Sequence, residues 1–218
     1  MKIVILTQSA REQHALKLQQ QIPGAIIHYD TISRGHIFGI ESALKIQYEK
    51  GIDYLLLIED DVILCDKFIQ SVTNVLAANI DRNVITFFSV SDESYNAIEK
   101  GFYWIEQEIT SWNQCIAYPE EIIQGLINYP KLPRLRHGDV WLSMYCLANG
   151  IKILQPLPHF VQHKELPSTY GNPKTLFGKK RISKVWGSGA GIDYAANYRN
   201  RFISKNTRTM SKYVKAYS

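Results

Sequence analysis

The chain has 218 residues, of which 45% are hydrophobic and 21% are charged. This length is enough for one full hydrophobic core, and the composition is that of a soluble globular protein. No apolar run approaches the roughly 20 residues that a membrane-spanning helix needs, and residues 1–6 lack the pattern of a signal peptide. The three cysteines have no CxxC spacing, which argues against a disulfide framework or a zinc cluster and favours a reducing cytoplasm.

The positive charge is concentrated at the C-terminal end of the sequence. Residues 1–173 hold 14 Lys/Arg and 19 Asp/Glu, whereas residues 174–218 hold 11 Lys/Arg and a single acid, Asp193. Seven aromatic residues are interleaved with these cations. Such a segment is typical of binding to an anionic polymer, a membrane surface or nucleic acid. The alternative is a terminal segment that packs its aromatic rings on the body of the protein.

Strands and helices are predicted to alternate over the first 90 residues. The strands are expected at Lys2–Thr7, 25–29, 54–58 and 84–90, and the helices at 11–22, 38–50 and Phe68–Ala78. This alternation is typical of a parallel sheet with helices on both faces.

Beyond residue 90 the pattern changes. Residues 91–100 are polar and receive no element, and the run at 157–163 is apolar and resembles a strand. The other predicted elements are strands at 102–108, 111–118 and 151–154 and helices at 120–129 and 139–148.

Three consecutive acids, Glu59, Asp60 and Asp61, follow the apolar run at residues 54–58 without a spacer. Five apolar residues without polar alternation are typical of a strand buried on both faces. Carboxylates beside such a strand need a partner, because a desolvated charge is costly. Mg²⁺ and Mn²⁺ prefer carboxylate oxygens, and ligands of α/β sheets bind at the carboxyl ends of strands. We therefore predict a metal and diphosphate site here, with an ordinary polar loop as the alternative.

Absent motifs narrow the class of reaction. The sequence has no GxxxxGK followed by Ser or Thr, no GxGxxG after the first strand and no GxSxG. These absences argue against P-loop enzymes, classical dinucleotide folds and acyl hydrolases. The Gly-rich loop of sugar-nucleotide pyrophosphorylases is also missing near the start. Group transfer from a nucleoside-diphosphate donor remains. It needs a metal for the leaving diphosphate and, if configuration inverts, a base for the acceptor hydroxyl.

Four side chains fit these roles by type and position. Asp60 and Asp61 are candidates for the metal, and Asp139 is a candidate for the base. His163 ends an apolar run, where an imidazole can complete a metal site. Taken alone, His163 is also typical of a surface or capping histidine, and Asp139 of a helix N-cap. Both alternatives stay open at this point.

The order of these motifs resembles that of GT-A glycosyltransferases, and it is closest to family-25, lipopolysaccharide-type and phage-type enzymes with an EDD metal motif. The likeness covers about residues 1–172 and is carried by Arg34-Gly35 before the helix at 38–50, the EDDV run at 59–62, His137-Gly-Asp-Val-Trp141, and Val161-Gln-His163 followed by Ser168.

The resemblance implies an α/β, GT-A-like (Rossmann-like) fold with a mostly parallel central sheet flanked by helices. It implies a glycosyltransferase domain at residues 1–173 and a basic aromatic extension at 174–218. The expected cofactors are Mn²⁺ or Mg²⁺ and a nucleotide-sugar donor, most simply a UDP-sugar.

The resemblance also assigns roles to individual residues. Asp60, Asp61 and His163 are expected to hold the metal, with His159 as an alternative to His163. Asp139 is expected to be the base of an inverting hexosyl or pentosyl transfer. The donor's base and ribose are expected near Thr7, Arg11, Asp30 and Arg34, because these residues lie at the carboxyl ends of the first two predicted strands. Asp60 is expected to bind the metal or the ribose.

The acceptor is left open by the sequence. A cell-surface or lipopolysaccharide glycan fits the family resemblance, and a hydroxymethylated base in DNA fits the basic extension equally well. In either case residues 174–218 are expected to contact a polyanionic acceptor. A non-enzymatic nucleic-acid-binding protein is the third interpretation, but it leaves the three acids without a role. The expected location is the cytoplasm, at the inner membrane surface or in a phage-infected host.

Overall fold

The computed structural model describes residues 1–31, 35–110, 114–131, 135, 137–164, 166 and 181–204. Its strands are β1 Lys2–Thr7, β2 Ile26–Tyr29, β3 Tyr54–Glu59, β4 Val62–Leu64, β5 Val84–Thr86, β6 Trp104–Gln107, β7 Cys115–Pro119, β8 Ile153–Pro156, β9 Val161–His163 and β10 Phe202–Ile203. Its α-helices are α1 Glu12–Gln21, α2 His36–Gln47, α3 Phe68–Ala78, α4 Asp92–Glu99, α5 Glu120–Asn128 and α6 Gly138–Ala148, and a short 3₁₀ helix covers Ser9–Arg11. Among these, no helix is both long and apolar enough to cross a bilayer.

Eight strands form one mixed sheet in the order β10, β6, β8, β5, β7, β3, β1, β2. The pairs β1–β2, β1–β3, β5–β8 and β6–β10 are parallel, and the pairs β3–β7, β5–β7 and β6–β8 are antiparallel. Within the described part of this eight-stranded sheet, therefore, four of the seven strand pairs are parallel. The α/β fold with a mostly parallel central sheet is confirmed.

The sheet separates two hydrophobic layers. On one face Ile5 of β1 and Leu56 of β3 belong to a buried cluster with α1 and α3. On the other face Val4 and Leu55 belong to a cluster with α2, α5 and α6. The alternation follows from strand geometry, since successive side chains point to opposite faces. Both faces are therefore covered by helices, as the alternating pattern predicts.

The sequence analysis does not predict α4, β4 or β10. In α4 only Ser94 and Ala97 are buried, so the apolar periodicity is weak. The signal for this helix is its N-cap, because the Ser91 hydroxyl accepts a hydrogen bond from Glu93 N at 3.2 Å. Strands β4 and β10 have three and two residues, too few for a period-2 pattern.

The described part of the C-terminal segment, residues 181–204, packs on the sheet. Tyr194 and Tyr198 are only 1% and 2% exposed, and each lies edge-on to Trp104 with ring centroids 5.5 Å apart. Trp104 Nε1 donates a hydrogen bond to Tyr194 O at 3.1 Å, and β10 extends the sheet beside β6. These two rings are packed on the body, as the alternative interpretation of the segment predicts, and contact of residues 174–218 with an acceptor stays a prediction. The domain boundary at residue 173 stays a prediction.

Gly189 offers a test of this packing. A Cβ at Gly189 would collide with the Tyr194 hydroxyl and the Phe160 ring. Gly189→Ala should therefore lower the free energy of unfolding by about 1–3 kcal/mol, measured by urea denaturation. Gly191→Ala is the matched control, because a Cβ at Gly191 meets nothing within 4 Å. Equal stabilities for the two variants would contradict the packing.

Candidate functional site

Polar side chains gather where β1, β2 and β3 end. Thr7 is the last residue of β1, Asp30 directly follows β2, and Asp60 directly follows β3. The strands end level, since Thr7 is in register with Tyr29 and Leu6 with Glu59. Asp30 N also donates a hydrogen bond to Thr7 O at 2.8 Å. The parallel order of these strands thus builds one polar edge.

Asp60 and Asp61 form a buried acid pair at this edge. They are 4% and 7% exposed. Thr7 Oγ1 donates a hydrogen bond to Asp60 Oδ2 at 2.5 Å. Arg11 Nη1 lies between the two acids, 2.9 Å from Asp60 Oδ1 and 3.2 Å from Asp61 Oδ2. Arg11 is the last residue of the 3₁₀ helix that follows β1. Because β1 and β3 end at the same edge of the sheet, Arg11 lies near these acids although it is distant from them in sequence.

The small β4–β9 sheet brings His163 to the same place. Val62 is in register with His163, and Lys164 N donates a hydrogen bond to Asp61 O at 2.7 Å. His163 Nε2 lies 3.4 Å from Asp61 Oδ2. The antiparallel pairing therefore fixes the imidazole against the acid pair.

The two acids differ in their titration. Burial raises the pKa of Asp60 above its ordinary value, even though Thr7 and Arg11 act to lower it. Burial also acts to raise the pKa of Asp61, but His163 and Arg11 outweigh it and hold that pKa below its ordinary value. Asp61 is therefore the more firmly ionised of the pair.

The chemistry of these groups fits a hard divalent cation, although their arrangement centres on Arg11. Asp61 Oδ1 is buried and has no hydrogen-bond partner in the described part of the chain. A buried carboxylate oxygen without a partner is costly, and it is the type of atom that Mg²⁺ or Mn²⁺ binds. In the described ranges no three His, Cys, Asp or Glu side chains are arranged to hold a metal ion. The donor atoms are thus of the type that binds such a cation, but the two acids are positioned by their hydrogen bonds to Arg11 rather than around a metal ion.

A second charged cluster lies beside the acid pair. His36, the first residue of α2, places Nε2 2.6 Å from Glu59 Oε1. Burial acts to lower the pKa of His36, but Glu59, Asp139 and Asp61 together raise it above its ordinary value. The neighbouring acids therefore favour the protonated form of His36.

Asp139 lies in the first turn of α6 and interacts electrostatically with His36. Burial raises the pKa of Asp139, against the opposing charges of His36 and His137. Asp139 Oδ1 also accepts a hydrogen bond from Val140 N at 3.0 Å. The carboxylate thus has a local role at a helix N-terminus and also a position near the Glu59–His36 pair.

The structure brings together five of the residues predicted for the site: Thr7, Arg11, Asp60, Asp61 and His163. Asp30 is at the neighbouring strand end, and Asp139 is linked to the edge through His36 and Glu59. Arg34 lies outside the described residues.

His159 is not available as an alternative ligand. Gln155 Nε2 lies 2.6 Å from His159 Nε2, so this nitrogen accepts and Nδ1 donates to Ser183 Oγ, also at 2.6 Å. Burial lowers the pKa of His159 to about 3, which keeps the ring neutral. The hydrogen bonds of the His159 ring link Gln155 of β8 to Ser183 in the segment at 181–204. No feature of the sequence indicated this structural role.

Sequence reasoning missed His36 and Lys164 as members of the site. Burial lowers the pKa of Lys164, while the charges of Asp60 and Asp61 act to raise it, so its ammonium group interacts electrostatically with the acid pair. Two signals were present: His36 follows Arg34-Gly35 at a helix start, and Lys164 directly follows His163.

No family model matches the sequence, and no curated protein matches it. Solved structures are similar at low identity. A protein from STIV is 12% identical with a TM-score of 0.43, covering 75% of this chain and 85% of that one. UDP-glucose pyrophosphorylase complexed with UDP-glucose is 10% identical with a TM-score of 0.42, covering 76% and 71%. Mannose-1-phosphate geranyltransferase from Thermus thermophilus is 9% identical with a TM-score of 0.37, covering 72% and 59%. These likenesses concern the fold alone.

Proposed function

We propose that the protein is a glycosyltransferase that binds a nucleotide-sugar donor, with Mn²⁺ or Mg²⁺, at the carboxyl edge of β1, β2 and β3. The observation that carries this proposal is the buried acid pair itself. Asp60 and Asp61 lie at a strand end where α/β sheets bind ligands, and Asp61 Oδ1 has no hydrogen-bond partner in the described residues. A structural ion pair alone does not require that unpartnered oxygen.

The charges of the edge suit a donor diphosphate together with a cation. Asp60, Asp61 and His163 would hold the metal, which when bound neutralises charge on the departing diphosphate. Arg11 and Lys164 supply positive charge near the acids. Guanidinium groups suit phosphate oxygens because their N–H groups match the spacing of those oxygens.

The ribose and base of the donor have polar partners on the neighbouring strand ends. Asp30 is buried and directly follows β2, where a carboxylate is suited to accept hydrogen bonds from ribose hydroxyls. Thr7 is engaged with Asp60, so its role is to orient that acid. Arg34 remains a proposed contact to the donor on the basis of sequence alone.

Asp139 is the proposed base. Its pKa is raised by burial, which brings proton acceptance closer to neutral pH. In the proposed inverting transfer, Asp139 takes the proton of the acceptor hydroxyl as the acceptor oxygen bonds to the anomeric carbon. The bond from that carbon to the diphosphate oxygen breaks, and the electron pair leaves with the diphosphate. The charge of protonated His36 favours the ionised form of Asp139 and so opposes the effect of burial before the transfer.

The proposed acceptor is a cell-surface or lipopolysaccharide glycan, reached from the cytoplasmic side of the membrane. The described cations of residues 181–204 are partly neutralised by the body, since Lys184 pairs with Asp92 at 2.6 Å and Arg201 with Glu106 at 2.9 Å. The proposed contact with a polyanionic acceptor therefore depends mainly on residues 205–218, which hold four Lys/Arg and no acid. The same basic stretch favours a hydroxymethylated DNA base as the second candidate.

Binding of UDP tests the donor site. Wild-type protein should bind UDP at least about tenfold more tightly in Mn²⁺ than in EDTA, because the ion offsets repulsion between diphosphate and carboxylates. Asp61→Asn should lose that dependence, measured by titration calorimetry. Asp66→Asn, which removes an exposed acid after β4, is the matched control and should keep it. Equal wild-type affinity in Mn²⁺ and EDTA would reject the metal-dependent donor site.

A further inference from the structure

We infer that Arg11 is an internal counter-ion of Asp60 and Asp61 which a divalent cation must displace, so that metal loading and donor binding are coupled through one side chain. This inference rests on the proposed function, because it names the regulation of the same site.

The hydrogen bonds of the acid pair leave little room for a metal while Arg11 is in place. Arg11 Nη1 binds Asp60 Oδ1 and Asp61 Oδ2, and Thr7 Oγ1 binds Asp60 Oδ2. Asp61 Oδ1 is the one carboxylate oxygen of the pair without a partner among the described residues. Mg²⁺ and Mn²⁺ take about six ligands, largely oxygen. A cation that binds both carboxylates therefore takes at least one Asp60 oxygen that Arg11 or Thr7 now holds, and it lies within the space around the Arg11 guanidinium.

Charge adds to this steric competition. The Arg11 side chain is 12% exposed, and those of Asp60 and Asp61 are 5% and 10% exposed. In such a poorly solvated place, a guanidinium and a divalent ion on the same carboxylates repel each other strongly. Binding of the ion therefore favours departure of Arg11, and the Arg11–aspartate pairs weaken binding of the ion.

The donor supplies Arg11 with a new partner. An arginine side chain has four rotatable carbon and nitrogen bonds, so its guanidinium can turn away while the backbone of Arg11 stays at the end of the 3₁₀ helix. A diphosphate beside the metal offers oxygens that match the guanidinium. Metal and donor should therefore bind with positive cooperativity, each raising the affinity of the other by the same factor.

Binding of Mn²⁺ alone tests the displacement, measured by electron paramagnetic resonance of the free ion. Arg11→Gln should bind Mn²⁺ at least about tenfold more tightly than wild type, since the competing cation is gone. The matched control is Lys164→Gln, which removes the same charge near both acids. No ion pair joins Lys164 to either acid among the described residues, so this variant should gain about threefold or less.

Binding of UDP in saturating Mn²⁺ tests the second half of the inference. Arg11→Gln should bind UDP about tenfold or more weakly than wild type, because the diphosphate loses its guanidinium partner. UDP should raise the Mn²⁺ affinity of wild type more than that of Arg11→Gln. Arg11→Lys keeps the positive charge but loses the paired N–H groups of the guanidinium. Its Mn²⁺ affinity should therefore lie between those of wild type and Arg11→Gln. It is the variant to use if Arg11→Gln does not fold.

The outcomes separate this inference from the proposed function. If Arg11→Gln, or Arg11→Lys in its place, binds Mn²⁺ no more tightly than wild type or Lys164→Gln, displacement is wrong. Displacement is also wrong if none of these proteins binds Mn²⁺. If the Mn²⁺ affinities follow the expected order but no protein binds UDP, Arg11 is a counter-ion as inferred, while the coupling to a donor and the proposed function are both overturned.

Discussion

A chain that ends at residue 173 is expected to lose its cooperative fold. The truncation removes Tyr194 and Tyr198, whose rings pack edge-on against Trp104. Deleting one large buried aromatic side chain costs about 3–5 kcal/mol, and the whole stability of a domain is about 5–15 kcal/mol. The truncation also leaves the indole N–H of Trp104 without its acceptor and β6 without its outer partner β10. Together these losses are large enough to unfold the body.

Thermal unfolding followed by near-UV circular dichroism measures this effect. The truncated chain should show weak aromatic signals and no cooperative transition. The matched control is a chain that ends at residue 204, which keeps every described contact of the segment and should melt like the full chain. Cooperative melting of the shorter chain near the full-length temperature would show that residues 1–173 fold as an independent domain.

Asp139→Asn is expected to lower turnover by about 100-fold or more while UDP affinity stays unchanged. Asparagine keeps the size of the side chain and an oxygen that can accept from Val140 N, so the start of α6 should be preserved. It removes the proton-accepting carboxylate. Asp92→Asn, in the first turn of α4, is the matched control and should leave turnover unchanged. Near-normal turnover of Asp139→Asn would reject the base and leave Asp139 as a helix-terminal acid.

The pH profile gives the same assignment a second readout. A base must be ionised, so wild-type turnover should fall as the pH drops through the pKa of Asp139. Because burial raises that pKa, the fall should begin at a higher pH than the ordinary aspartate value of about 4 would give. The residual turnover of Asp139→Asn should lack this acidic limb.

The first half of the fold was predictable because its signals are local. The alternation of apolar strands and amphipathic helices predicts β1, α1, β2, α2, β3 and α3, and the boundaries of β1 and α3 are confirmed. The acids after β3 lie at the polar edge because a parallel sheet brings the carboxyl ends of its strands together.

The features that were not predicted depend on long-range pairing. Nothing in Cys115–Pro119 indicates that β7 inserts between β3 and β5, since strand order depends on the whole set of partners. The composition of the basic segment is the same whether its aromatic side chains stack on an acceptor or on Trp104, so composition does not distinguish the two. Sequence reasoning predicted that Arg11 lies near the donor. It did not predict the ion pairs of Arg11 with Asp60 and Asp61, because these residues are 49 and 50 positions away and no local pattern links them.

The place of β7 has a consequence for synthesis of the protein. A ribosome completes β3 and β5 before it reaches β7, the strand that pairs with both of them. Until then the growing chain carries two apolar strands whose inner edges have unpaired N–H and C=O groups. Unpaired edges bind other strands readily, including those of neighbouring chains. We therefore expect the growing chain to be exposed to misassembly in the interval between translation of Thr86 and translation of Pro119.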